Sequence, residues 1–516
     1  MSGGTTTALQ VNDFPPGVAT ATIQAPNPHL IQERNAVTTH RPELHFTPDA
    51  GILDAPAGVL RDGDTWHMFY QYRPTPDAPA RWGHTYSEET PFNWLDCDDV
   101  LAPAGGELAL RAGSVAQSGD AINLYFTSVT ATGTSVVLAR YSGIDDICEV
   151  SDDSLALDPK VVRFGEVAGN TTDHTRFRSP SVVPDWATDD REDGHEGWLM
   201  LALSGRTDTP QPVILESHDG ISWSLRGGLT FEGDPGFLDG EVPTDSPIAP
   251  VVSPRIVRLR DEIDEEIYDV LFVTLERDGR DVSGYLVGQL EDTTFTVVSG
   301  FRRVDFGHDF SRPRNTNVTV GTIPKEQRYE RAVILGLLNG NGRGDDATQH
   351  ASWDTEGWAN ALSLPRQVTL EGGVLYQAPA IGLPEAVQLS DYARSWTGVL
   401  EVPTGSSVTI TLRDGNGDPA ATICHSGEKI SLDRSMNKAF DNYFADSAPA
   451  TATLADGDSD TLTIIQDGST VEVFVDGGLI AMASRVYFDG GCSGMDVKTT
   501  GAAVLEQDWQ RSGSKL

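Results

Sequence analysis

Basic residues are scarce in this chain: 37 Lys and Arg stand against 76 Asp and Glu, giving a formal charge of −39 over 516 residues. A surface of that sign repels nucleic acid and anionic membranes, so neither is expected as a partner and a neutral small ligand is the easiest to accommodate. The acids otherwise serve solubility. Cysteine is rarer still. Cys97, Cys148, Cys424 and Cys492 lie far apart with no CxxC pair, which argues against a zinc site and a disulfide framework and leaves buried free thiols as the expectation. No His and carboxylate cluster has recognisable ligand spacing, so no metal or cofactor is expected. No run of 18 apolar residues occurs, and the first residues, MSGGTTTALQVNDFPPG, lack a basic start followed by an apolar stretch. These absences predict a soluble, cytoplasmic protein.

Helix-period stretches are few, whereas 52 Gly and 30 Pro punctuate many short runs of Val, Ile, Phe, Tyr and Trp. That composition predicts an all-β chain with frequent turns. Residues 1–40 have no periodicity and read as a flexible arm. Beyond them a unit recurs. Apolar strands at 65–72, 121–128, 197–204, 268–275 and 331–338 each follow a shorter element of small or polar residues: APAGVL (55–60), RAGSVA (111–116), RSPSVV (178–183), VSPRIV (252–257) and NTNVTV (315–320). Five copies of small strand, turn and apolar strand predict a five-bladed β-propeller over residues 41–378, since radial repetition leaves few exposed edges. The first strand of each blade then lines a central channel, where residues 55, 111–114, 178–180, 252–254 and 315–317 should converge on one functional cavity.

A linker at 379–395, with two prolines, ends the repeat. Short alternating strands follow (WTGVLEVP, SVTITLRD, DTLTIIQDG, TVEVFVDGG and AMASRVYFD), several joined by Asp-Gly or Gly-Asn turns suited to hairpins. They predict a separate β-sandwich over 396–512.

Several stretches carry a resemblance. RPELHFTPDAGILDAPAG (41–58), FYQYRP (69–74) and WGHTYSEETPFNW (82–94) resemble the N-terminal propeller of glycoside hydrolase family 32, the β-fructofuranosidases. DFGHDFSRPR (305–314), GWANALSLPRQVTL (357–370) and STVEVFVDGGLIAMASRVY (469–487) resemble its later strands and its C-terminal sandwich, in the same order. The resemblance implies retaining hydrolysis of a β-fructofuranosyl bond in sucrose or a fructo-oligosaccharide. One carboxylate attacks the anomeric carbon and a second protonates the leaving oxygen, about 5 to 5.5 Å away. The family's motifs for these acids, with a third that stabilises the transition state, are W-M-N-D-P-N-G, E-C-P and F-R-D-P.

Laid on GILDAPAG, the nucleophile position is Ala55, with Asp54 one residue earlier; in FRSP, Arg178 is kept and Ser179 stands at the stabiliser position. The acid/base glutamate has two placements. GEVP retains Glu241, whereas VVSPRIVRL preserves the inner-strand register and puts Val252 there. Asp54 and Glu241 are thus the candidate catalytic residues. A one-residue shift reverses the face that a strand residue occupies, so Asp54 points away from the channel unless a bulge turns it inward. The alternative is a non-catalytic fructoside-binding or regulatory protein. Gln71, Trp82, Ser114, Arg178 and Asp309 are the candidate substrate-binding residues by the same resemblance. Trp82 and Gln71 otherwise read as blade core and rim, and Asp309 as a structural cap. His308, Asp309, Arg312 and Arg314 in FGHDFSRPR would suit a phosphate or carboxylate if they reach the cavity; otherwise the arginines are surface ion-pair partners.

Overall fold

Why the chain closes on itself is visible in its strand pairing. The computed structural model describes residues 40–185, 197–237, 251–277, 280–339, 346–440, 448–454 and 460–516. The expected arm, apart from His40, and Glu241 lie outside them. Each of five blades runs from an inner strand outwards, and the inner strands are Gly51–Asp62, Glu107–Ser118, Arg178–Pro184, Val251–Arg260 and Phe310–Val318. The second strands are Thr65–Arg73, Ala121–Thr130, Trp198–Ser204, Ile267–Arg277 and Ala332–Leu338, in the places where the sequence repeats. Blades five and one merge into a single sheet because their inner strands pair in parallel, Val59 opposite Thr316 and Arg61 opposite Val318. Deeper in the channel the Asn317 amide donates to Val115 O at 2.7 Å and Val182 O at 2.9 Å, tying blade five to blades two and three.

The inner strands share one irregularity. Each carries an extra residue near its start: between Leu53 and Ala55, Arg111 and Ser114, Arg178 and Ser181, Val252 and Arg255, and Ser311 and Arg314. In three blades the bulged residue precedes proline and has left-handed backbone, with φ of 56° at Ser179, 54° at Ser253 and 49° at Arg312. Blade two uses Gly113 at the proline's place, where a Cβ would fall 1.8 Å from Tyr125 O. A bulge breaks the alternation of faces, so two neighbouring side chains turn towards the axis.

The C-terminal part is two five-stranded sheets. One consists of Ile480–Arg485, Thr470–Val475, Asp460–Asp467, Arg394–Glu401 and Val504–Ser512; the other of Ala450–Thr453, Lys429–Asp433, Pro419–His425, Ser407–Asp414 and Cys492–Thr500. Trp396, Ile410, Ile423, Ile464, Val473 and Met482 pack between them. The strand TVEVFV is buried on both faces. Val471, Val473 and Val475 enter the sandwich core, while Phe474 packs against Leu44, Phe92, Leu364 and Leu383 at the propeller side. Leu383–Leu389, within the expected linker, forms a short helix with proline in its first turn. The four cysteines are free and half-buried, not fully buried as expected. No helix among the described residues is long and apolar enough to cross a membrane.

Candidate active site

The bulges converge on a cavity of about 590 Å³ at one end of the channel. Its wall takes consecutive pairs from four blades: Asp54 and Ala55, Arg111 and Ala112, Arg178 and Ser179, Val252 and Ser253. Blade five supplies Arg312 and Arg314, three residues ahead of the expected 315–317. The reason is register: the fifth bulge falls at SRPR, and NTNV is the continuation of the strand down the channel. Ala55, Ser179 and Val252, where the family's acids are expected, therefore face a common space.

Asp54 faces it too, because the extra residue in blade one removes the alternation that would have turned it away. Its carboxylate accepts from Arg73 Nε at 3.0 Å and Nη2 at 3.0 Å, and from Gln71 Nε2 at 3.3 Å. Gln71 lines the cavity as well, and its Oε1 accepts from Ala112 N at 2.6 Å, holding the blade-two bulge. Arg178 reaches the wall with its guanidinium already donating to Arg176 O, Gly205 O and Arg206 O at 2.8–3.1 Å.

The remaining expected ligand contacts lie elsewhere. Trp82 is fully buried in the core of blades one and two, where its indole N–H donates to Arg111 O. Ser114 lies past the bulge on the same inner strand as Arg111 and Ala112, and its hydroxyl accepts from Val182 N at 3.1 Å. Asp309 is at the joint with the sandwich, accepting from Arg434 Nη1 at 2.7 Å and Arg485 N at 2.6 Å. His308 bonds Ser484 Oγ and Ala448 O at the same joint; burial and the nearby Arg434 push its imidazole down to about 4. Neither Arg312 nor Arg314 is a surface partner. Arg312 pairs with the buried Asp281 at 2.6 Å, and Arg314 is 4% exposed.

Sequence reasoning places Arg111 on the wall, within 111–114, but misses Arg73 and Asn360. Arg73 and Asn360 lie inside the quoted motifs FYQYRP and GWANALSLPR, so the signal was present. Asn360 donates to Leu53 O at 2.8 Å, while its own buried Oδ1 has no partner. Among the described residues no group of three or more His, Cys, Asp or Glu side chains is placed to hold a metal ion.

Comparison with known proteins agrees over both domains. The Glycosyl hydrolases family 32 N-terminal domain matches residues 45–379, and the Glycosyl hydrolases family 32 C terminal matches residues 391–509. The chain is 26% identical over 500 residues to a sucrose-6-phosphate hydrolase of Bacillus subtilis, covering 90% of this chain and 93% of the relative. It is 24% identical over 497 residues to a raffinose invertase of Escherichia coli, covering 87% and 90%. In fold it is similar to the exo-inulinase of Aspergillus awamori, with a TM-score of 0.69 at 17% identity over 93% of this chain and 98% of that one. The same holds for a fructofuranosidase of Schwanniomyces occidentalis complexed with fructose, at 0.69, 18%, 93% and 99%. Matched over both of its domains and carrying the five-bladed propeller and sandwich, the chain belongs to glycoside hydrolase family 32.

Proposed function

We infer that this chain is a β-fructofuranosidase-like protein whose propeller cavity binds a small carbohydrate, and that hydrolysis through a pair of carboxylates is not its activity. One observation carries the reading: Ala55, Ser179 and Val252, on three different blades, face the same cavity. A retaining mechanism needs a free carboxylate nucleophile and a second carboxyl about 5 to 5.5 Å away. Asp54, the carboxylate that the described residues bring to the wall, is held by Arg73 and Gln71. A carboxylate so paired is a good acceptor for sugar hydroxyls and a weakened nucleophile. The carbohydrate class follows from the family, since structural relatives are complexed with fructose or sucrose.

The second reading is hydrolysis of sucrose or fructo-oligosaccharides by Asp54 with Glu241, favoured by the inward turn of Asp54 at its bulge. Incubation with sucrose, inulin and an aryl fructoside separates the two. The binding reading expects no released fructose, together with saturable heat on titration with at least one of sucrose, a short fructo-oligosaccharide or fructose 6-phosphate. Fructose release that disappears in both Asp54→Ala and Glu241→Gln would overturn it in favour of hydrolysis.

A further inference from the structure

The chain carries −39 overall, yet among the described residues five arginines and one aspartate line its cavity: Arg73, Arg111, Arg178, Arg312 and Arg314 against Asp54. Solubility gives no reason for that reversal of sign. Arg73 pairs with Asp54 and Arg312 with Asp281. Arg314 has no carboxylate partner among the described residues. Its Nη1 donates to Ser253 Oγ, another wall residue, and its buried Nε has no partner. Behind it lies Arg255, 1% exposed, whose Nη1 donates to the carbonyls of Ser179 and Pro254 at 3.1 and 2.6 Å, while Nε and Nη2 are buried without partners.

Two buried guanidinium groups that repel each other and, among the described residues, face no carboxylate are costly, because desolvation of each charge is uncompensated. Burial, and then Arg312, push Arg314 down to about 9, which still leaves it charged at neutral pH. Such an arrangement persists where an anion supplies the missing charge. The planar fork of arginine matches carboxylate and phosphate oxygens in pairs. Elsewhere on the wall Asn360 Oδ1, buried and unpartnered, and the Asp54 carboxylate offer acceptors to hydroxyl groups.

We propose that the cavity binds a polyhydroxylated anion, a sugar bearing a phosphate or a carboxylate, with its oxyanion on Arg314 and Ser253 at the place where the relatives' reacting carboxylates are expected, and its hydroxyls on Asp54 and Asn360. This rests on the carbohydrate reading and specifies the ligand. Calorimetric titration of the full chain with fructose 6-phosphate, glucuronate, inorganic phosphate, fructose and sucrose tests it, and the first two probes distinguish a phosphate from a carboxylate. At least one of them is expected to bind about tenfold or more tightly than fructose and than inorganic phosphate, as a charge-assisted pair warrants. Arg314→Met should weaken that binding by about tenfold or more and raise the melting temperature of the ligand-free protein, because it deletes an unpaired buried charge. Arg413→Met, on the sandwich surface, should leave binding unchanged. If Arg314→Met lowers the melting temperature, the guanidinium is structural and the inference fails. Binding of sucrose or fructose alone, unaffected by Arg314→Met, overturns the anion and keeps the carbohydrate reading. Inorganic phosphate binding as tightly as fructose 6-phosphate keeps the anion and overturns the carbohydrate. No binding by any probe overturns both.

Discussion

A backbone N–H that a bulge takes out of its ladder must find another acceptor, and here the preceding blade provides it. Gln71 of blade one accepts from Ala112 N of blade two at 2.6 Å, Thr127 of blade two from Ser179 N of blade three at 2.9 Å, and Ser283 of blade four from Arg312 N of blade five at 3.0 Å. These single side chains couple the cavity wall to the stacking of the blades. Thr127→Val keeps the shape and removes the acceptor, leaving a buried N–H without a partner. Its expected cost is about 1–3 kcal/mol in urea unfolding, with Thr127→Ser close to wild type. Equal midpoints for the Val and Ser variants would refute the role of the hydroxyl.

At the scale of the element, the bulge decides what each inner strand presents. Ser179 adopts a φ of 56°, a region where residues with a Cβ are penalised by about 1–2 kcal/mol and glycine is not. In an ordinary strand alanine is the more stable of the pair. Here the order should reverse, with Ser179→Gly more stable than Ser179→Ala by about 1 kcal/mol, measured from denaturant midpoints; an alanine variant equal to or above the glycine one would contradict the bulge geometry. The same element explains what could be read from the sequence. The second strands announce themselves through continuous apolar runs such as WLMLALS, because they are buried on both faces. Bulges carry no hydrophobic period. Strict alternation turns Asp54 outward, and the repeat pattern puts the fifth copy at NTNV, whereas its cavity-facing part is SRPR. Local pattern alone misplaces a residue wherever a strand gains one.

The arginine-rich wall is illegible in the sequence for a different reason: its members come from four blades and meet only when the propeller closes, while the average charge along the chain is acidic. The joint between propeller and sandwich follows the same logic. Arg366 of blade five bonds Glu472 of the sandwich at 2.7 Å and Asp305 of the connecting stretch at 2.8 Å, and all three are buried. Arg366→Met strands two buried carboxylates and is expected to cost about 3–5 kcal/mol, read as a lower thermal midpoint. On the other side of Glu472 stands His45, from the segment leading into blade one, with Nδ1 2.8 Å from Asp467 and Nε2 3.2 Å from Glu472. Burial opposes the charged imidazole, but the hydrogen bonds and charges of the two carboxylates outweigh it and raise its pKa above the ordinary value. A histidine raised in the folded state contributes stability that is complete below the unfolded value of about 6.5 and is lost as pH climbs through the raised one. Other buried histidines shift the opposite way, His67 to about 4 through burial, so the dependence of the whole protein is a sum. The difference between wild type and His45→Gln isolates one group, because the other sites are common to both. That difference in unfolding free energy should be larger at pH 6 than at pH 9, and a difference constant across the range would show that His45 holds the joint without its charge.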